Sequence, residues 1–330
     1  MDLSTTYLGI RLPHPYIPGA SPMVDDLDTV RRLEDAGAAA IVMHSLFEEQ
    51  ITREQMATSR HLDATSDSHA EALTYLPSPE AFALGPDEYL EHIHKLKAAV
   101  SIPVIASLNG ATEGGWLDYA RLIENAGADA LELNVYALAT DLDESSEMLE
   151  RRTLHMLETV RRSIGIPLAV KLSPFYTSLA HFARRLAERG ADGLVLFNRF
   201  YQPDIDVETL EVSPTLRLSD SSELLLRLRW LAVLSGRIKA SLAVTGGIHT
   251  VLDTVKAVMA GADAVQVVST LLRHGPEELT NLRRNLALWL EEHEYDSLEQ
   301  MKGSMNLLRC PNPAAHERAN YMNVLQSWWG

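Results

Sequence analysis

A short unit, in which a helical pattern ends at a Gly-Ala pair and a run of apolar residues follows, recurs along the chain and limits the folds that it can adopt. The pairs begin at Gly37, Gly127, Gly190 and Gly261. Glycine is the usual residue just beyond a helix C-terminus, and short apolar runs of this kind are typical of buried strands. Ile-Pro pairs at residues 102–103 and 166–167 precede two more such runs. Helices and strands that alternate in this way indicate parallel pairing of the strands.

Eight buried strands are predicted in all, at residues 16–20, 39–45, 104–110, 129–135, 168–174, 192–198, 241–244 and 264–268. Helical patterns alternate with them at about 27–37, 87–100, 116–127, 144–164, 178–190, 222–236, 250–261 and 276–293. Eight such units over roughly 280 residues predict a (β/α)₈ TIM barrel. The alternative is a doubly wound open sheet, which normally carries a glycine-rich nucleotide turn after its first strand. Here GASPMVDD follows the first strand and lacks that motif, so the barrel is preferred.

The predicted barrel also sets the domain organisation. We expect the 330 residues to form one domain, with the barrel at about 16–293 and a helical C-terminal cap at 294–330. Two connections, residues 44–85 after strand two and 199–221 after strand six, are long for simple turns, and long loops in compact domains are usually functional. Within the first of them, residues 59–69 are rich in Ser, Thr, Asp and His and are predicted to form a lid or substrate loop.

The composition narrows the range of partners and compartments. Acidic residues number 45 against 29 basic ones, and the net charge of −16 argues against nucleic acid as the main partner, because phosphate backbones bind basic surfaces. No apolar stretch approaches the roughly 20 residues of a membrane span, and a single cysteine, Cys310, fits a reducing cytosol. We therefore expect a soluble cytoplasmic protein. The histidines show no metal-ligand spacing, so we expect no metal ion.

Residues 241–270 contain the clearest candidate for a ligand site. Thr245, Gly246 and Gly247 follow strand seven, and Ser269 and Thr270 follow strand eight. Glycine lets the backbone approach a ligand closely, and the N–H groups at a helix N-terminus favour an anion. In a barrel of this type the loops after strands seven and eight are the usual phosphate site. The sequence therefore predicts phosphate binding here, with a plain tight turn as the alternative for the two glycines.

Polar side chains follow several other strands of the predicted barrel. The strand-end residues are Ala20, Ser21, His44, Ser45, Asn109, Asn134, Lys171 and Asn198. Because all carboxyl ends meet at one rim, three amides and one lysine would converge where a barrel holds its ligand. An amide can donate and accept along the edge of a heterocyclic ring, and a lysine can stabilise developing negative charge. The alternatives are that the asparagines are turn residues and that Lys171 is paired with a neighbouring glutamate.

The phrases GASP, LELNV, AVKLSP, LFNR, VTGGI and QVVST, in this order, resemble the dihydroorotate dehydrogenase family of FMN-containing (β/α)₈ barrels, from about residue 6 to residue 284. The resemblance implies that the FMN phosphate is held by the residues after strands seven and eight, which are Thr245, Gly246, Gly247, Ser269 and Thr270. It also implies that the isoalloxazine ring or the substrate is surrounded by Ala20, Ser21, Asn109, Asn134, Lys171 and Asn198. Lys171 would lie near the pyrimidine end of the flavin and favour the anionic reduced form.

The chain departs from the family pattern where a proton is removed from the substrate. In the family the base, a cysteine or serine, lies three residues after the asparagine of strand four, and that position is Ala137 here. Alanine cannot accept a proton. Tyr136, Thr140 and His44 are the candidates for another base, and His44 or Ser45 takes the place of the family's lysine at the end of strand two.

The resemblance implies an FMN-dependent oxidoreductase that acts on a small molecule. The default reaction converts dihydroorotate to orotate, in pyrimidine biosynthesis, by hydride transfer to flavin N5. Two alternatives remain open: a non-redox barrel enzyme that uses Lys171 as a Schiff-base nucleophile on a phosphorylated substrate, and a non-catalytic FMN-binding barrel without the family's base. Residues 295–330 would form a cap or a dimer surface, so a homodimer is a candidate assembly, and an electron-transfer protein is a candidate partner.

Overall fold

The computed structural model describes residues 1–52, 85–110, 115–135, 137–199, 202–213, 216–317 and 321–327. Within these ranges, eight parallel strands form one sheet. The barrel strands, numbered one to eight in chain order, are Tyr16–Pro18, Ile41–Phe47, Val104–Gly110, Ala130–Val135, Leu168–Leu172, Gly193–Leu196, Ser241–Thr245 and Ala264–Val267. Each overlaps a strand that the sequence predicts, but strand two continues past the predicted end at residue 45 to Phe47.

The order of the strands shows that the sheet closes on itself. Neighbours run from strand one to eight, seven, six, five, four, three and two, and every pair is parallel. Strands one and two are bridged by a hydrogen bond of 3.1 Å from the backbone N of Ala39 to the carbonyl of Tyr16. The fold is therefore the predicted (β/α)₈ TIM barrel, and the doubly wound alternative is wrong.

Helices cover the outside of the barrel between the strands. Among the described residues, the α-helices of seven or more residues are Leu27–Asp35, Pro86–Ala99, Tyr119–Asn125, Ser146–Ser163, Leu179–Glu188, Leu224–Leu234, Val251–Ala260 and Glu278–Glu292. Short 3₁₀ helices lie at Pro22–Val24, Gly115–Asp118, Ser221–Glu223 and Pro313–His316. The helix after strand seven begins with a capping box between Thr250 and Asp253 and ends at Gly261, where the recurring Gly-Ala unit predicts its end.

An N-terminal β-hairpin fills the amino-terminal end of the barrel. Its strands, Thr5–Tyr7 and Ile10–Leu12, pair antiparallel. Leu8 and Leu12 belong to a buried cluster with the inward-facing residues of the barrel strands, many of which are alanine. A Cβ on Gly193 would lie 2.4 Å from Leu8 Cδ2, so a larger residue there would force the Leu8 side chain to move. The small inward-facing residues and the hairpin therefore form one packed core.

The structure differs from the sequence-based expectation at the end of strand eight. The strand ends at Val267, and a helix of six residues, Ser269–His274, follows at once. Ser269 and Thr270 therefore lie in the first turn of a helix and not at an extended strand end. The expectation missed this helix because six residues are too few for a helical period to show in the sequence.

Other short elements lie outside the strand–helix units. In the long loop after strand six, Asp204–Asp206 and Glu211–Ser213 form an antiparallel ribbon. Beyond the barrel, Leu298–Met301 and Tyr321–Gln326 are helical, which agrees with the predicted helical C-terminal segment. Residues 59–69, the predicted lid, lie outside the described residues. No helix in the described ranges combines the length and the apolar character needed to cross a bilayer.

Replacing Leu12 by alanine tests how much the hairpin contributes to the core. Leu12 is 1% exposed, so the variant leaves a cavity between the hairpin and the barrel. We expect the free energy of unfolding to fall by about 2–5 kcal/mol, measured by urea unfolding. Leu225→Ala, at a position that is 68% exposed, is the matched control and should cost less than about 1 kcal/mol. Equal effects of the two variants would contradict the packing role of the hairpin.

Candidate functional site

A cavity of about 240 Å³ opens at the carboxyl ends of the barrel strands. It is lined by eight of the residues that the sequence predicts to hold a ligand, namely Ala20, Ser21, Lys171, Asn198, Thr245, Gly246, Gly247 and Ser269. They come from distant parts of the chain and meet because a closed parallel barrel presents all its carboxyl ends at one rim. The cavity is many times larger than one water molecule needs, so it has room for an organic ligand.

The remaining predicted cofactor residues are not in the described lining of this cavity. Asn134 is buried, and its Oδ1 accepts a hydrogen bond of 2.9 Å from Asn198 Nδ2. Asn109 pairs with Asn134 in the register of strands three and four. Thr270 is buried in the first turn of helix Ser269–His274. The two asparagines therefore continue the row of amides that begins at Asn198, whereas Thr270 belongs to the packing of its helix.

Lys171 is held at the cavity wall by a buried carboxylate. Its Nζ donates to Glu132 Oε1 at 3.1 Å, and Glu132 Oε2 accepts from Gln266 Nε2 at 2.6 Å. The side chains of Lys171 and Glu132 are 9% and 1% exposed. Lys171 is therefore paired with a glutamate, which was one of the alternatives that the sequence allowed. Because both charges are removed from water, their separation would cost far more than that of a surface ion pair.

The turn after strand seven brings the backbone close to neighbouring segments. Gly246 and Gly247 both have φ of +83°, a conformation that favours glycine. A Cβ on Gly247 would lie 2.6 Å from the backbone N of Leu224. The N–H of Gly247 faces Ser219 Oγ at 3.4 Å, and this hydroxyl also donates to Ser269 Oγ at 2.9 Å. A backbone amide and two hydroxyls thus meet at this end of the cavity, and an anion can accept hydrogen bonds from such groups.

The residues of the site that the sequence did not identify include Glu132, Gln266, Ser219 and Arg227. Glu132 and Gln266 each interrupt an apolar strand, in LELNV and in VQVV. Arg227 interrupts a leucine-rich helix, LLLRLRWL, in the same way. These interruptions are the available signal, because a buried polar or charged side chain is costly unless it has a partner. Ser219 lies in a long loop and carries no comparable signal.

The cavity is basic although the chain is acidic. Lys171, Arg199 and Arg227 line it, together with one acid, Glu223. Burial lowers the pKa of Arg227 from its ordinary value, but a guanidinium stays protonated in proteins. The described residues contain no group of three or more His, Cys, Asp or Glu side chains that could hold a metal ion. An anionic ligand in this cavity would lie close to the positive charges of Lys171, Arg199 and Arg227.

Two buried polar atoms of the cavity residues have no hydrogen-bond partner in the described part of the chain. They are Ser21 Oγ and Gln266 Oε1. A buried polar atom without a partner costs about 1–3 kcal/mol. The amide of Gln266 is oriented by its bond to Glu132, so its oxygen cannot turn away without losing that bond. A ligand with donor groups along one edge would satisfy both atoms.

The candidate bases belong to strand two and to the segment after strand four. The sequence predicts His44 and Ser45 at the end of strand two, but the strand continues to Phe47, so both residues lie within it. His44 is half-buried, and its Nδ1 is 3.5 Å from Asp25 Oδ2. Thr140 is exposed, Ala137 is half-buried, and Tyr136 lies outside the described residues. A carboxylate beside one ring nitrogen of a histidine leaves the other nitrogen available for proton transfer. Among the described candidates, His44 has this arrangement.

Comparisons with known proteins agree with the motifs at the strand ends. The family model for dihydroorotate dehydrogenase matches residues 82–290. The NAD-dependent dihydropyrimidine dehydrogenase subunit PreA of Escherichia coli K12 is 25% identical over 327 residues, which cover 92% of this chain and 77% of that protein. The catalytic subunit of dihydroorotate dehydrogenase B (NAD(+)) of Thermoplasma volcanium is 25% identical over 312 residues, with 92% and 98% covered. A putative dihydroorotate dehydrogenase A (fumarate) of Aeropyrum pernix is 29% identical over 211 residues, with 62% and 67% covered.

A double-mutant cycle tests the buried pair of Glu132 and Lys171. Glu132→Gln or Lys171→Met alone leaves one buried charge without its partner, so we expect each to lower the free energy of unfolding by about 3–5 kcal/mol. The double variant should recover most of this loss, because no unpaired charge remains. Urea unfolding of all four proteins measures the coupling. Losses that simply add in the double variant would show that the two side chains do not depend on each other.

Proposed function

Because the chain belongs to the dihydroorotate dehydrogenase family, as its strand-end motifs predict, we propose that it is an FMN-dependent oxidoreductase that acts on a dihydropyrimidine or a closely related ring. The observation on which the proposal rests is the convergence of the strand-end residues on one basic cavity. Relatives in the comparisons are named as dehydrogenases of dihydroorotate and of dihydropyrimidines, which supports an oxidoreductase.

The residues of the cavity fit FMN. Ser21 Oγ and Gln266 Oε1, which lack partners among the described residues, would bond to the polar edge of the isoalloxazine ring together with Asn198. Gly246 and Gly247 would bring backbone N–H groups to the phosphate, since neither carries a Cβ. When bound, FMN supplies the acceptor, at N5, for a hydride from the substrate ring.

Lys171 would stabilise negative charge on the bound ring. Its ammonium lines the cavity and is fixed 3.1 Å from Glu132 Oε1. A charge that is already in position in a site of low dielectric stabilises developing negative charge without reorganisation. The same contact speaks against Lys171 as a Schiff-base nucleophile, because that role needs a free amine. The redox function is therefore favoured over the non-redox alternative.

We assign the removal of a proton from the substrate to His44. Asp25 lies 3.5 Å from Nδ1 and would hold the ring so that Nε2 faces the substrate. A carboxylate in this position also stabilises the imidazolium that forms when Nε2 accepts the proton. The family position cannot serve, because Ala137 has no proton-accepting group, and Thr140 is exposed.

Dihydroorotate is the default substrate, and Arg199 gives a chemical reason for it. Arg199 lines the cavity. A guanidinium can pair with a carboxylate through two parallel hydrogen bonds, and dihydroorotate carries one where simple dihydropyrimidines do not. Oxidation of dihydroorotate would place the protein in pyrimidine biosynthesis.

Ala137 supports a second candidate function. A barrel that keeps the cofactor cavity but lacks the family's base could bind FMN without oxidising dihydropyrimidines. Such a protein would have a regulatory role that depends on whether FMN is bound, or it would act on a different substrate. The two candidates differ in whether a dihydropyrimidine reduces the bound flavin.

Partners and location follow from the relatives and the composition. Two of the compared relatives are named as subunits, and we propose that this chain also has a partner protein, to which it passes electrons. We propose a homodimer as the assembly, because the C-terminal segment exposes apolar side chains at Tyr321, Met322, Val324 and Leu325. The single cysteine, Cys310, is buried and free, which fits a cytoplasmic protein.

Colour and anaerobic reduction test the proposed function. The protein should be yellow as purified or after addition of FMN, and dihydroorotate should bleach its visible absorbance in the absence of oxygen. Orotate, added in the same way, is the control and should leave the colour unchanged. A protein that stays colourless with FMN would overturn the flavoprotein assignment. A yellow protein that neither dihydroorotate nor dihydrouracil bleaches would favour the non-catalytic candidate.

His44→Gln tests the assignment of the base. The variant keeps a polar side chain of similar reach but cannot accept a proton, so flavin reduction by substrate should slow by about 10²–10⁴-fold. FMN content should not change, because His44 is not in the described lining of the cavity. Stopped-flow absorbance measures the rate, and Thr140→Val is the comparison, expected to stay within about threefold of the unmodified protein. A large loss in Thr140→Val with none in His44→Gln would move the base to Thr140.

A further inference from the structure

Arg227 is a buried cation for which the proposed chemistry has no use. It belongs to helix Leu224–Leu234 and lines the cavity beside the glycine turn. Its side chain is 7% exposed. Arginine is almost never buried to this degree unless it is paired. The partners of its guanidinium therefore indicate what it does.

The hydrogen bonds that Arg227 makes with the described residues use fewer than half of its donors. Nε donates to the carbonyl of Thr245 and Nη1 to the carbonyl of Glu223, each at 2.5 Å. The carboxylate of Glu223 is 3.8 Å from Nη2, which is too far for a hydrogen bond. A guanidinium has five N–H donors. Nη2 therefore has no hydrogen-bond acceptor among the described residues.

This unpaired part of the guanidinium lies against the glycine turn. A Cβ on Gly246 would be 2.7 Å from Nη2 of Arg227, so the absence of a side chain at Gly246 is what lets the guanidinium lie there. The next residue, Gly247, faces Ser219 Oγ at 3.4 Å, and Ser219 contacts Ser269. All of these residues line the same cavity. One end of the cavity thus combines a full positive charge, a backbone amide and two hydroxyls.

We propose that Arg227 binds the phosphate of the cofactor and makes the protein select FMN over riboflavin. The inference rests on the proposed function, since it takes FMN as the ligand. A guanidinium can contact two phosphate oxygens at once, and backbone amides alone supply no full charge. Removed from water, such a contact is much stronger than at a surface. The charge pattern agrees, because the cavity is basic in a chain with a net charge of −16.

If Arg227 had only a structural role, removing its guanidinium would affect flavin binding differently. Its bonds to the carbonyls of Thr245 and Glu223 join strand seven to helix Leu224–Leu234. If they were its whole role, loss of the guanidinium would disturb the cavity for any flavin. Phosphate recognition predicts instead that only the phosphorylated flavin is affected. The ratio of the two affinities separates these roles.

Titration of the flavin-free protein with FMN and with riboflavin, followed by quenching of flavin fluorescence, measures this ratio. Arg227→Met should weaken FMN binding by about tenfold to a hundredfold and leave riboflavin binding within about threefold. Arg229→Met removes the same charge from an exposed position of the same helix and is the matched control. It should change neither affinity.

Each outcome of the titration has a defined meaning. Unchanged FMN binding in Arg227→Met, or equal losses of FMN and riboflavin, would overturn the role of Arg227. If the unmodified protein binds both flavins equally well, the role of Arg227 is overturned while the proposed function stands. If it binds neither flavin, the proposed function itself fails. Should Arg227→Met not fold, as judged by circular dichroism, Arg227→Gln keeps a donor for the Thr245 carbonyl and is judged by the same ratio.

Discussion

Glu132 ties the candidate site to the core of the barrel. Its two carboxylate oxygens join strand four to Lys171 on strand five and to Gln266 on strand eight. A carboxylate buried inside a barrel is tolerated only when both oxygens are bonded, and here both bonded partners line the cavity. Towards the amino-terminal end, the interior is filled by small residues and the N-terminal hairpin. The side chains that form the wall of the cavity are therefore also the layer of the core nearest the carboxyl end of the barrel. The shape of the cavity depends on the ion pair between Glu132 and Lys171.

Because of this ion pair, Lys171 contributes to the cavity in a different way from Arg199 and Arg227. Glu132 balances Lys171, so Lys171 contributes a local, oriented charge and little net charge. The net positive charge of the cavity comes from Arg199 and Arg227, with Glu223 as the one acid in the lining. In an acidic chain, a concave basic site concentrates an anionic ligand against the background potential. The ring end and the anion end of a ligand such as FMN would thus be recognised by different cations.

The barrel could be predicted from the sequence because its signals are local. Each Gly-Ala or Ile-Pro pair marks the end of a helix and the start of a strand within a few residues, and the closed fold then places the predicted strand ends around one rim. Helix Ser269–His274 was missed because it is too short to show a period. The contacts of Glu132 with Gln266 and of Arg227 with Thr245 join residues that are 134 and 18 positions apart. In the sequence, such a residue is visible as a polar interruption of an apolar run. The residue that it contacts is not.

The cofactor cavity and the region of the missing base lie on different strands. The cavity is lined by residues at the ends of strands one, five, six, seven and eight, whereas Ala137 follows strand four and His44 lies within strand two. Substitution of the base therefore leaves the polar atoms and charges of the cavity in place. In a barrel, loops at one rim can change independently while the strands hold the rest. The substrate and the proton acceptor of this protein can thus differ from those of its relatives without any change in the polar atoms and charges of the cavity.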